Sequence, residues 1–254
     1  MTAGPPSSSG RFGSTPPPAI ERPRRVLVCG ATGRLGVAIA RGLAKRGDLV
    51  ALTARDAAKL DALADAIAQI GPRPRVVCKD LLDKDAPDFI AKTVLETGGI
   101  DDIVLACGPF PRTPLEELRR EDLEKTLTVH AIAPLLLVSA LADELGKRSG
   151  AVVALADAGV ARPYTNHVAY LTAKGALQTG LRALAVELAP YVRVNVVALG
   201  IVADPEADAD PLRTHRLAAR SPLGRFGTPG EVVQAVLALL DATWSTGEIW
   251  GIGR

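Results

Sequence analysis

Aromatic side chains are scarce here: Trp, Tyr and Phe together make 4% of the 254 residues, and there is a single Met. A core for a chain of this length must therefore be built from Ala, Val, Leu and Ile. Cysteine is scarce too. Cys29, Cys78 and Cys107 lie far apart, with no C-x-x-C and no His/Cys spacing of a zinc site. That excludes a disulfide scaffold or zinc module and fits a reducing, cytoplasmic setting. Each ends an apolar run, where a small buried side chain is the plain reading. An excess of one charge is also missing, since 30 Lys+Arg face 28 Asp+Glu. The usual argument for a nucleic-acid partner falls away. No long hydrophobic run is present either. Ala131–Ala142 is very apolar but short and contains Pro134, so it reads as a buried or interface helix and not a membrane span.

What is present begins with a tail. Residues 1–24 carry six prolines and no apolar periodicity or h-region, so a disordered Pro/Ser/Gly-rich segment is expected, not a signal peptide. Over residues 1–25, Arg11, Arg22, Arg24 and Arg25 face Glu21 alone, and the remainder of the chain is slightly acidic. From residue 25 to 254, short β-branched runs alternate with helical patterns. Strands are expected at Val26–Cys29, Leu49–Thr53, Arg75–Cys78, Ile103–Ala106, Ala151–Ala156, Val192–Ala198 and Glu248–Ile252. Helices are expected near 35–46, 57–69, 87–97, 122–146, 166–189 and 229–241. Strands apolar on both faces and separated by helices predict one doubly wound α/β domain with a parallel sheet of about seven strands.

The first strand runs into Gly30-Ala31-Thr32-Gly33-Arg34-Leu35-Gly36 and then directly into a helix. Glycines in that place let backbone approach a pyrophosphate, and the helix start favours its charge. A dinucleotide site is expected. The second strand ends in Ala54-Arg55-Asp56, with Arg55 where an NAD site would carry an acid. Arg55 and Arg34 converging on a 2′-phosphate would favour NADP(H). Asp56 reads as a helix N-cap. Asp80-Leu81 can border the adenine, or Asp80 can be a loop cap.

Tyr170 and Lys174 are four residues apart on one helical face. A phenol has an ordinary pKa of about 10, and a neighbouring ammonium lowers it. Such a pair can protonate an oxygen or nitrogen while a nicotinamide supplies hydride.

With these motifs, and with Arg193-Val194-Asn195, Ser221-Pro222-Leu223-Gly224-Arg225-Phe226-Gly227-Thr228-Pro229 and Thr246-Gly247, residues 25–254 resemble the short-chain dehydrogenase/reductase family. The resemblance implies a single-domain Rossmann fold, commonly tetrameric, so a homotetramer or homodimer is expected. Helices 122–146 and 166–189, with Gly175, Ala176 and Gly180, would pair across a two-fold axis. It further implies Asp157, Tyr170 and Lys174 as the catalytic set. Cofactor contacts would come from Gly30, Thr32, Arg34, Leu35, Gly36, Arg55, Asp80, Leu81, Ala106, Gly108, Tyr170, Lys174 and Gly200.

Departures from the family pattern narrow the reading. Asp157 stands 13 residues before Tyr170, where the usual serine would be, and Arg34 takes the place of the usual middle glycine of the turn, giving Arg34-Leu35-Gly36. Both are similar to the pteridine reductase branch, as is Phe110-Pro111-Arg112-Thr113-Pro114-Leu115. That branch implies Phe110, Asp157, Tyr164 and Tyr170 as substrate contacts, with Phe110 stacking on a pterin; Phe110 can equally be a core aromatic. The usual Asn-Asn-Ala-Gly is Leu105-Ala106-Cys107-Gly108, the usual helix asparagine is His130, and the usual Pro-Gly is Leu199-Gly200. His130 can join a proton relay or be a satisfied buried histidine. Segment 201–220, with Asp204, Glu206, Asp208 and Asp210, is the expected substrate lid, its acids solvent-facing; no metal site is expected.

The expected activity is NADPH-dependent hydride transfer to a small-molecule C=N or C=O bond, on a pteridine in the branch reading. The alternatives are a general carbonyl or 3-oxoacyl thioester reductase, and a non-catalytic NADP-binding interaction protein.

Overall fold

The computed structural model describes residues 23–203 and 211–253, so the tail and the acids Asp204, Glu206, Asp208 and Asp210 lie outside the described residues, apart from Pro23 and Arg24. Strand and helix alternate as the apolar patterns require: β1 (Arg25–Cys29), α1 (Arg34–Arg46), β2 (Leu49–Ala54), α2 (Ala57–Ala68), β3 (Arg75–Cys78), α3 (Ala86–Glu96) and β4 (Asp102–Leu105). Then come α4 (Arg120–Leu127), α5 (Ala133–Ala140), α6 (Ala142–Lys147), β5 (Ala151–Asp157), α7 (Val168–Leu188), β6 (Arg193–Leu199), α8 (Pro211–Ala218), α9 (Pro229–Asp241) and β7 (Ile249–Ile252). Every expected strand is present, its ends displaced by at most one residue.

All seven strands are parallel in the order β3-β2-β1-β4-β5-β6-β7. Side-chain alternation feeds two cores. Leu27 and Cys29 face the layer of α3, α5 and α7, whereas Val26 and Val28 face α1, α2 and α9. This is why β1 reads as a continuous apolar run. Local signals set the helix starts: Asp56 Oδ1 accepts from Lys59 N at 3.0 Å, and Thr228 and Glu231 form a capping box at Pro229. The chain reverses direction across the sheet between β3 and β4. The carboxyl ends of β1 and β4 therefore diverge into a crevice, the usual ligand position in such sheets.

Cys78, expected to be buried like Cys29 and Cys107, is exposed on the edge strand β3, and two expectations about helices also need correction. Helix 122–146 is not continuous. Pro134 has no N–H to continue the α-helical ladder, and the chain takes a π turn over Thr128–Ile132, with Ala133 N–H donating to Thr128 O. The stretch Arg120–Ala140 is long and apolar enough to cross a membrane by length and composition, but its π turn and α5 pack on α7 and α3. Second, the expected lid loop 201–220 contains α8. Its apolar and charged residues recur at helical spacing, a periodicity concealed by the acids before it.

Candidate active site

The glycine turn packs against the end of β4. Gly30 has φ +80°, and a Cβ on it would stand 2.6 Å from Ala106 O and 2.8 Å from Cys107 Cα. Gly36 lies so close to the carbonyl of Gly30 that a Cβ would overlap it. The result is a side-chain-free cradle before the first turn of α1, whose leading N–H groups have no intrahelical acceptor. That geometry fits a dinucleotide pyrophosphate. Thr32 and Gly33 stand at its rim, and Leu35 packs under it against the α1-side core.

The two arginines do not converge. The Arg34 guanidinium donates to the carbonyls of Val202, at 3.3 Å, and Ala203 in the segment after β6. Arg55 is exposed at the end of β2, its carbonyl accepting from Cys78 Sγ at 3.6 Å on the β3 side. The sheet order places β2 and β6 on opposite sides of β1, so the pair expected at one phosphate is split. Instead, Thr32, Val37, Arg41, Lys59, Ala62 and Leu63 line a cavity of about 310 Å³ between α1 and α2. Asp80 takes the cap role, its Oδ1 accepting from Leu82 N at 3.0 Å, while Leu81 packs against the core. Gly200 serves packing: its N–H donates to Ile252 O at 2.8 Å, and a Cβ would overlap Gly253.

The reactive groups gather at the carboxyl end of β5. Tyr170 O–H donates to Asp157 Oδ2 at 3.1 Å, and Tyr164 O–H donates to the same oxygen at 3.0 Å. Asp157 Oδ1 accepts from Gly159 N at 2.6 Å, and its backbone carbonyl accepts from Gln178 Nε2 at 3.2 Å. Lys174 is buried one turn after Tyr170. Its Nζ donates to Leu155 O at 2.9 Å and lies 5.9 Å from the Tyr170 ring centroid. Burial pushes its pKa down to about 8, against the pull of Cys107 and Asp157.

The expected direction for Tyr170 is reversed. Burial first, and then the charge of Asp157, hold its phenol above the usual tyrosine range. The carboxylate lies within hydrogen-bond distance, whereas the ammonium lies 5.9 Å from the ring centroid and donates to a backbone carbonyl. Tyr170 is therefore a neutral O–H donor, the protonation state that a general acid requires.

Phe110 is not a core aromatic. The residue is 58% exposed, and its ring stacks on His167 at 4.2 Å with 17° between planes and meets Tyr170 edge-on at 4.8 Å. His167 Nδ1 donates to Pro111 O at 2.8 Å, and Thr113 N donates to Asn166 O at 2.6 Å, tying the two loops together. Sequence reasoning missed His167 and Gln178. No local signal marks His167, because its hydrogen-bond partner lies 56 residues away.

His130 rides on the π turn into the interior, 1% exposed, with its ring against Gly108 and edge-on to Tyr170 at 5.3 Å. Its Nε2 donates to Pro109 O at 2.9 Å, which leaves Nδ1 an acceptor with no partner among the described residues. Burial, with Lys174 nearby, lowers its pKa to about 3. Because the folded value lies below the unfolded one, the stabilisation is present above about pH 6.5 and is lost as pH falls towards about 3. On going from about pH 7 to about pH 5 this residue should cost the native state on the order of 2 kcal/mol. Urea unfolding of wild type and His130→Asn at both pH values checks this, and equal acid sensitivity would refute it.

Residues 30–252 match the enoyl-(acyl carrier protein) reductase family model. The chain belongs to the short-chain dehydrogenase/reductase family. L-xylulose reductase of Bos taurus is 32% identical over 224 residues, covering 86% of this chain and 89% of that protein. D-erythrulose reductase of Gallus gallus is 30% identical over 226 residues, covering 87% and 89%. Among solved structures, the NADP-bound 3-oxoacyl (acyl-carrier-protein) reductase from Agrobacterium tumefaciens C58 has a TM-score of 0.85 at 25% identity, covering 91% and 93%. An NADPH-bound short-chain oxidoreductase from Pseudomonas aeruginosa PAO1, with an atypical catalytic center, has a TM-score of 0.83 at 26% identity, covering 90% and 95%.

Proposed function

We propose that this protein is an NADPH-dependent reductase of C=O or C=N bonds in a small molecule. The observation that carries the reading is Tyr170 as a neutral donor on Asp157, with Lys174 buried one turn later and Phe110 beside it. Reduced nicotinamide, when bound, supplies the hydride. The glycine cradle and the first turn of α1 would hold the pyrophosphate, and Lys174 the nicotinamide ribose. Tyr170 gives its proton to the substrate oxygen or nitrogen. The NADP(H)-bound neighbours support the cofactor.

The exposed Phe110 face, backed by His167, supports a flat substrate such as a pteridine. The sugar-reductase names of the relatives favour a second reading, a small ketone. NADPH oxidation on dihydropterin, quinonoid dihydropterin, L-xylulose and a 3-oxoacyl thioester decides among them. Tight NADPH binding without turnover on any of these would mark a non-catalytic NADP-binding protein.

For cofactor choice, Arg55 stands alone at the end of β2, with Lys59 and Arg41 along the neighbouring α1–α2 cavity. Losing one charge-assisted contact to a 2′-phosphate costs about 1.5–3 kcal/mol. Arg55→Ala should weaken NADPH binding by about 10- to 100-fold and leave NADH unchanged. Equal weakening of both, by fluorescence titration, would remove Arg55 from this role.

The reading extends to a cytoplasmic enzyme whose residues 25–254 act as one domain after a Pro-rich tail. Exposed Ile132 and Leu136 support a homodimer or homotetramer through the α4–α5 face. Gly180 does not serve that contact, because it receives Leu135 of its own chain: a Cβ on it would stand 2.6 Å from Leu135 Cδ1.

A further inference from the structure

Three donors meet on the carboxylate of Asp157. Gly159 N serves Oδ1, whereas Tyr164 and Tyr170 share Oδ2 at 3.0 and 3.1 Å. Two phenols on one oxygen divide its accepting capacity, so each bond is weaker than a phenol donating alone would make. Tyr164 is held in this position from several sides. Its ring lies over the 3-10 turn Ala158–Val160, where a Cβ on Gly159 would overlap Tyr164 Cε1 and stand 2.7 Å from Asp157 Oδ1. Gly159 is not among the positive-φ glycines, so the ring and the carboxylate, not the backbone, exclude a side chain there. Tyr164 also packs edge-on to His167 at 5.3 Å and tilted to Phe110 at 6.2 Å.

We propose that Tyr164 is a positioning residue for Tyr170: it keeps Asp157 Oδ2 hydrogen-bonded and in place while the Tyr170 hydroxyl turns from the carboxylate to the substrate. The inference rests on Tyr170 as the proton donor. In that step the Tyr170 O–H bond breaks and its proton joins the substrate oxygen or nitrogen as hydride reaches the adjoining carbon. The phenolate then regains a proton from solvent. Without Tyr164, the turning phenol would strip Oδ2 of its remaining side-chain donor, and a partly buried carboxylate oxygen resists that loss. Tyr170 would stay on the carboxylate.

The chain has three tyrosines, Tyr164, Tyr170 and Tyr191, so tyrosine labelled with ¹³C at Cζ gives three reporters. In Tyr164→Phe the Tyr170 Cζ resonance should move downfield, because that phenol then donates alone to Oδ2. With L-xylulose and NADPH, kcat should fall about tenfold with KM within about twofold, and the solvent deuterium isotope effect on kcat should rise. An unmoved resonance in Tyr164→Phe overturns the proposal, whether or not L-xylulose is a substrate. A raised KM at unchanged kcat also overturns it, making Tyr164 a substrate contact. Tyr170→Phe separates the two levels of the argument. Full turnover in that variant defeats the proton-donor reading itself. An inactive Tyr170→Phe beside an unaltered Tyr164→Phe defeats the positioning role alone.

Discussion

Tyr170→Phe should lower kcat by about 10²–10⁴-fold, the usual worth of a positioned general acid, while NADPH binding and folding persist. The ring is almost fully buried, and its packing against Phe110, His130 and Lys174 does not depend on the hydroxyl. Phenylalanine keeps that volume, so no cavity opens. Asp157 loses one donor but retains Tyr164 and Gly159 N, which limits the loss of stability to about 1 kcal/mol. The catalytic loss is larger because no other described side chain donates from the same position. Lys174 Nζ lies 5.9 Å from the Tyr170 ring centroid, and His130 Nε2 donates to Pro109 O. NADPH oxidation by stopped flow, with a fluorescence titration of NADPH on the same variant, separates chemistry from binding. Turnover within a few-fold of wild type would end the case for Tyr170 as the acid.

Gly36→Ala should abolish measurable NADPH binding and destabilise the fold. Gly36 lies inside α1, where alanine is favoured over glycine by about 1 kcal/mol. The contact opposes that preference. A Cβ would overlap the Gly30 carbonyl and stand 2.9 Å from Ala31 Cα, all backbone atoms that cannot rotate away. Overpacking of this kind costs about 1–3 kcal/mol, so the clash exceeds the propensity gain. Relief requires shifting the turn that would hold the pyrophosphate, and the same displacement would remove the anion site. Isothermal titration with NADPH and a urea melt read the two effects. A variant that binds as wild type and melts higher would show that helix propensity wins.

Much of the site was legible because its signals are local. Gly30 and Gly36 follow a strand and open a helix; Tyr170 and Lys174 share a face through spacing alone; Asp157 stands where a serine is usual. Asp56 was readable as a cap from the helix it precedes, and its side chain accepts from Lys59 N. His167 carried no such signal, nor did the reach of Arg34, whose hydrogen bonds span 169 and 168 residues of sequence. The direction of the Tyr170 shift was also hidden. It depends first on how deeply the phenol is buried and then on the charge of Asp157, and helical spacing to Lys174 reports neither.

The amino-acid sequence by itself determined the alternation of strands and helices, the glycine turn between β1 and α1 and the Tyr170/Lys174 pair. Each is written in periodicities and backbone requirements that act over a few residues. Tertiary structure decided how those parts are used. It parted Arg34 from Arg55, carried His130 inside on a π turn, set His167 behind Phe110 and brought Tyr164 and Tyr170 onto one oxygen of Asp157. These arrangements follow from strand order and loop packing, which bring together residues that no local pattern relates.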